Sequence, residues 1–323
     1  MLQASTTMAK RAASSSGGGS ILKVACIQFT ATEDRERNFA ICKRLVTEAA
    51  TDGGAKFCCL PECFHFIGNS EVKSIDIAEA LDESNSCPTI ERYKELAGTL
   101  SVGLSLGGFQ ESDTNSPGKV FNTHFIISPE GEVSSVYRKM HLFDYESGGL
   151  MESSFTSPGN SLVVDTGGSP VDGVNFGVTT CYDLRFPCMY DSLCATLGAN
   201  VLLVPAAFTV PTGRAHWEIL LRARAIETQS YVLAAAQIGQ HNAKRASFGM
   251  SMIIDPWGKV IGQCDALTTD DAVESIRMGV NENGTYVMGE VDLGLIRDRR
   301  EKMPLAEHSR FTSCERKGEH VLR

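Results

Sequence analysis

The chain has 323 residues, 42% of them hydrophobic and 21% charged, with a formal net charge of −9. That is a globular composition with enough apolar residues for a sizeable core, and the acidic balance, with no basic stripe, argues against nucleic acid as the main partner. No apolar run reaches the length that crosses a bilayer, so a soluble protein with no membrane partner is expected.

The first twenty residues, MLQASTTMAKRAASSSGGGS, are rich in Ser, Ala and Gly and contain Lys10 and Arg11 but no acid. They read as the flexible tail of a cytoplasmic protein; the alternative is a chloroplast or mitochondrial transit peptide. Residues 21–323 read as one domain, since no linker-like stretch interrupts them. KVACIQF (23–29) predicts a buried strand. Residues 35–54 predict an amphipathic helix, with Phe39, Cys42, Leu45, Val46 and Ala49 at helical spacing and Gly53–Gly54 as the stop. Strands follow at 55–62 and 102–109, with a helix at 88–101 between them. Residues 122–128 and 132–139 form strands around the turn PEG, and 146–160 is a loop long enough to suspect function. VNFGVTT (174–180) is a strand, 184–198 a helix ended by Gly198, and 200–208 a strand. A helix over 215–230, a strand over 231–237, a hairpin over 251–263 and a last strand over 285–293 complete the chain. The alternation is α/β, and strands apolar on both faces imply sheets covered on both sides.

Eleven cysteines are scattered without zinc-type or redox-type spacing. They read as free thiols in a reducing compartment, most of them small core residues. GLSLG (103–107) matches a serine-hydrolase pattern, but Ser105 falls inside an apolar strand with no helix after it, so the match carries nothing. Three strand ends are more informative. Glu62 follows FCCLP, Lys139 follows VSSVYR, and Cys181 ends GVTT just before a charged segment. One charge at a strand end is usually a solvated loop residue. An acid, an amine and a thiol at three such ends form a pattern: a general base, an electrostatic stabiliser and a nucleophile.

LPECF, YRKMHLFD and CYDLRFP together resemble the Glu–Lys–Cys signature of the nitrilase superfamily, the carbon–nitrogen hydrolases, from about Leu22 to about Phe311. The resemblance implies a four-layer αββα sandwich that forms a homodimer or higher homo-oligomer. It implies Glu62 as general base and Cys181 as the nucleophile that forms a thioester with a small amide. Lys139, with the backbone N–H of Tyr182, would hold the oxyanion. The chemistry hydrolyses a linear amide to carboxylate and ammonia and needs no metal and no cofactor. A second glutamate of the family matches Glu152 in MESSFTSPG, where it would position the amide and keep Lys139 charged. Here YESGG replaces the family's Asp-x-Pro-Gly type segment, which shortens the loop.

Residues 215–249 and IIDPWG resemble the Nit branch, whose best-known activity is a metabolite repair, removal of the amide from the deaminated, α-keto-acid form of glutathione. Rival substrates are α-ketoglutaramate and α-ketosuccinamate, for an ω-amidase, or an N-carbamoyl compound. A more distant reading is a catalytically silent interaction protein. A substrate with several carboxylates calls for fixed positive charge. Arg185 is the first candidate, with a buried pair to Asp183 as its other reading; Arg214, Lys244 and Arg245 lie in predicted loops. Phe208 and Thr209, at the end of VPAAFT, would line the pocket, and Trp217 reads as core.

Overall fold

The structure, a computed structural model, describes residues 21–68, 73–145, 150–267 and 283–310. The N-terminal tail, positions 146–149 of the long loop and Cys314 lie outside the described residues. The first sheet is built from β1 (Ile21–Gln28), β2 (Phe57–Leu60), β3 (Gly103–Ser112), β4 (Val120–Ile127), β5 (Val133–Arg138) and β16 (Thr285–Asp292), in the order β16-β1-β2-β3-β4-β5. A two-stranded ribbon, β6 (Asp144–Tyr145) with β7 (Leu150–Met151), follows β5. The second sheet takes β8 (Val163–Asp165), β9 (Phe176–Val178), β10 (Val201–Leu203), β11 (Tyr231–Ala234), β14 (Met252–Ile254) and β15 (Val260–Gln263), in the order β15-β14-β11-β10-β9-β8. The hairpin of β12 (Ile238–Gln240) and β13 (Ala246–Phe248) stands apart. Parallel pairing runs through the centre of each sheet, β1–β2–β3 and β9–β10–β11.

Strand periodicity explains the layers. Along β1, Leu22, Val24 and Cys26 face the core shared with the second sheet. Ala25 and Ile27 face the core beneath α1 (Arg35–Thr51) and α2 (Pro88–Leu100). Phe57 of β2 stacks on Phe176 of β9 with ring centroids 4.2 Å apart, which closes the two sheets face to face. On the far side, α3 (Pro187–Asp191) and α4 (Val210–Thr228) supply Met189, Tyr190, Trp217, Leu221 and Ala225 to the same core. The layers are therefore αββα.

Helix α1 starts where Asp34 accepts the Arg37 N–H at 2.9 Å, and it buries Ile41, Cys42, Leu45, Val46 and Ala49. Two helix predictions need correction. The segment expected to be one helix over 184–198 is a 3₁₀ turn at Cys181–Arg185, then α3, then a π turn at Ser192–Thr196. Pro187 forces the break, because it sits well only in a helix's first turn. Helix α4 starts at Val210, ahead of the expected 215, because Pro211 is accommodated in its first turn. Arg214 is consequently helical. Among the described residues nine cysteines carry free thiols, but Cys188 is disulfide-bonded, against the expectation for that position. It lies half-buried beside exposed Pro187, so its sulfur is not a core group.

Candidate active site

The strand ends predicted to carry chemistry converge between the sheets. Glu62 lies just past β2 and is 4% exposed. Its Oε1 accepts from Asn122 Nδ2 at 2.9 Å and Lys139 Nζ at 3.2 Å, and its Oε2 accepts the Ala207 N–H at 3.0 Å. Gln237, where β11 runs out, donates from Nε2 to the Glu62 carbonyl at 3.0 Å. Lys139 lies just past β5 and is 2% exposed. Its Nζ donates to Glu152 at 2.9 and 3.1 Å as well as to Glu62. Glu152, in a 3₁₀ turn, also accepts the Phe143 N–H at 2.7 Å. The long loop thus delivers a buried carboxylate to the lysine.

Cys181 opens the next turn with φ +49°, a left-handed conformation uncommon for a residue with a side chain. Its N–H donates to the Pro205 carbonyl at 2.9 Å, which ties the turn to the end of β10. Its thiol faces the Glu62 carboxylate and the Lys139 ammonium, and each acts on its charge. Asp183 fixes the turn from beneath. Fully buried, it accepts the Thr180 N–H at 2.9 Å, the Tyr137 hydroxyl at 2.7 Å and the His141 N–H at 3.1 Å, and it pairs with His141 Nδ1 at 2.7 Å. The cysteine turn and the lysine segment are therefore locked to one another.

The charges divide cleanly. Burial pushes the Glu62 carboxyl up, but the Lys139 ammonium, the nearby Cys181 thiol, the hydrogen bond from Asn122 and the charge of Arg245 outweigh it and hold it below its ordinary value. Burial pulls Lys139 down, yet Glu152, Glu62 and Cys181 together hold it well above the usual lysine range. Burial first, then the charge of Glu62, pushes the Cys181 thiol well up, with Lys139 opposing. At neutral pH the set is an ionised carboxylate, an ammonium and a protonated thiol.

The model of the carbon–nitrogen hydrolase family matches residues 23–301. The chain belongs to that family. The hydrolase is 44% identical over 293 residues to a Dictyostelium discoideum protein named deaminated glutathione amidase, covering 88% of this chain and 93% of that one. It is 40% identical to the Homo sapiens protein of the same name, covering 89% of this chain and 82% of that one. The crystal structure of the Caenorhabditis elegans NitFhit protein superposes with a TM-score of 0.78 at 37% identity, over 94% of this chain and 69% of that one.

Around the hydrolase's cysteine, Tyr182 lies half-buried between Phe143 and Phe186, with ring centroids 5.0 and 5.4 Å away. Arg185 does not pair with Asp183, whose carboxylate is already saturated. Its guanidinium lies 5.8 Å from the Tyr182 ring centroid and 5.4 Å from that of Phe208, with His216 Nδ1 at 3.3 Å. Phe208 is buried against Trp217, and Thr209 is the extended residue that starts α4. Trp217 is core, its Nε1 donating to the Met250 carbonyl at 2.8 Å. Ser105 contacts His124 Nε2 at 2.7 Å, but both residues are fully buried, so this pair is structural; His124 Nδ1 pairs with the Thr179 carbonyl at 2.9 Å. Sequence reasoning missed Asn122 and Gln237. Gln237 obeys the same strand-end rule as Glu62. Asn122 was visible only as a polar residue opening an apolar strand whose hairpin partner leads into Lys139.

Proposed function

We propose that this hydrolase is a cysteine-dependent amidase of metabolite repair and that its substrate is deaminated glutathione. The observation that carries the chemistry is Lys139 Nζ held by Glu62 and Glu152, with the Cys181 thiol facing the same Glu62 carboxylate. Because the thiol is held protonated, it does not wait as a thiolate. Its proton passes to Glu62 as the sulfur–carbon bond forms. The tetrahedral oxyanion is met by the Lys139 ammonium and the backbone N–H of Tyr182. Glu62 then gives the proton to the departing nitrogen, and the thioester remains on Cys181. The same carboxylate takes a proton from water, which attacks the thioester and restores the thiol. Glu152 cannot be the base for the thiol in this scheme; its contacts orient Lys139 and keep it charged.

The substrate reading is supported by the relatives' shared name and by Arg185. Its guanidinium faces the Tyr182 and Phe208 rings beside the nucleophile, and no carboxylate pairs with it among the described residues. It would take a substrate carboxylate, with Phe208 and Thr209 as the wall. Glutathione's side-chain amide joins its glutamyl part to cysteinylglycine. Hydrolysis of the deaminated form therefore frees the amine of cysteinylglycine, which corrects the expectation of ammonia. The ω-amides would release ammonia, so the products separate the readings. Purified protein should free cysteinylglycine from deaminated glutathione faster than ammonia from α-ketoglutaramate, and Cys181→Ala should abolish both. Faster turnover of α-ketoglutaramate would overturn the substrate and keep the mechanism.

We also propose a homodimer or higher assembly. The outer face of α4 exposes Ile219 (70%) and Ile226 (45%), and the neighbouring turn exposes Trp257 (57%). A side chain at Gly258 would overlap Ile226, so the turn and the helix form one apolar face.

A further inference from the structure

Besides Lys139, Asn122 is a side chain in the site that hydrogen-bonds both carboxylates. Its Nδ2 donates to Glu62 Oε1 at 2.9 Å and to Glu152 Oε1 at 3.2 Å. Its main-chain carbonyl accepts the Lys139 N–H at 2.9 Å. The side-chain orientation is dictated by these partners, because ionised carboxylates only accept. Turning the amide over would set Oδ1 against two negative charges. The orientation has a cost: Oδ1 is buried and has no hydrogen-bond donor among the described residues. A side chain at Gly108 would come 3.0 Å from Oδ1 and 2.6 Å from Glu62 Cγ, so the bare glycine leaves space for this arrangement.

We propose that Asn122 is a positioning residue that clamps Glu62 and Glu152 on either side of Lys139 and keeps Glu62 ionised as acceptor of the Cys181 proton. The proposal rests on the amidase reading for its catalytic consequence, but not for its effect on Glu62. The titratable groups facing Glu62 are Lys139 from the end of β5, Cys181 from the nucleophile turn, Arg245 from the β12–β13 hairpin and Cys63 on its own turn; Glu152 acts through Lys139. None of these groups is removed when Asn122 is replaced. What is lost is a neutral donor to a charged acceptor, so the carboxyl moves up and its acid limb moves to higher pH.

The test follows two pH profiles in the full chain: the rate at which iodoacetamide alkylates Cys181, located by peptide mapping, and kcat/KM for amide hydrolysis. In wild type, the acid limb of each should lie below the ordinary carboxyl value of 4.5. In Asn122→Leu both limbs should rise by about one pH unit, the shift expected from one hydrogen bond to a charged group. The fall should be in kcat more than in KM. Asn122→Ser, which keeps a shorter donor, should fall between the two and carries the test if the leucine variant does not fold. Limbs unmoved in both variants, or a uniform loss at every pH, would overturn the proposal. A shifted alkylation limb in a protein that turns over no amide would sink the amidase reading while sparing this one.

Discussion

Lys139 is the residue on which the site's balance depends. It is the buried cation between two buried carboxylates, and removing it leaves both uncompensated. Lys139→Met should therefore abolish hydrolysis and also destabilise the fold by about 3–5 kcal/mol, read as a lower urea midpoint at pH 7. A stability loss below about 1 kcal/mol would mean that the pairings are weaker than their geometry implies. The three reactive strand ends were legible in the sequence because a chemical group just past a buried strand is held on a rigid element. Glu152 was legible only through the family pattern, since a glutamate in a polar loop has no local signature. Arg185 shows the limit of neighbour-based pairing. Asp183 is two positions away in sequence, yet Tyr137, His141 and Thr180 from the lysine side and the strand end use up its oxygens.

At the scale of elements, the site depends on a break in β3. The ladder to β4 shifts between Leu106 and Phe109, and Gly107 and Gly108 occupy the shift. A side chain at Gly107 would overlap Pro205, whose carbonyl holds the Cys181 N–H. Gly108 has φ +72°, and a side chain there would press on Glu62 Cγ. Gly108→Ala should cost about 2–4 kcal/mol and should lower kcat, because the strain falls on the base itself. Denaturation and steady-state kinetics on one preparation would check both. Strand positions and most helices followed from apolar periodicity. The bulge did not, because paired glycines in a strand mark close approach without naming the partner. The split of 184–198 is marked in the sequence by Pro187, inside a segment whose apolar spacing is helical throughout.

Across the whole molecule, the sheets are joined by polar as well as apolar contacts. His124 of the first sheet pairs with the Thr179 carbonyl beside β9 of the second. Burial lowers His124 to about 4, and His65 and His241 to about 3, all from 6.5. Between pH 6.5 and these lower values the unfolded chain binds more protons than the folded one, so stability rises with pH across that window. The urea midpoint should therefore drop steadily as pH is lowered from 6.5, and below 4.5 the depressed Glu62 carboxyl should add to the fall. A midpoint flat down to pH 4 would contradict the burial of these rings. The αββα layering was legible from strands apolar on both faces together with the family resemblance. The apolar face of α4 was not, because which side of an amphipathic helix meets its own core depends on the packing. Sedimentation velocity should find a dimer or larger, and Ile219→Glu should shift it toward the monomer.

The central claim is that Cys181 carries the acyl group under the control of Glu62 and Lys139. The most direct measurement is rapid-quench intact-mass analysis during turnover of deaminated glutathione, followed by peptide mapping. The account predicts a transient adduct with the mass of the keto-acyl group, mapped to Cys181 and absent from Cys181→Ala. Turnover with no adduct on Cys181, or with undiminished rate in Cys181→Ala, would contradict it.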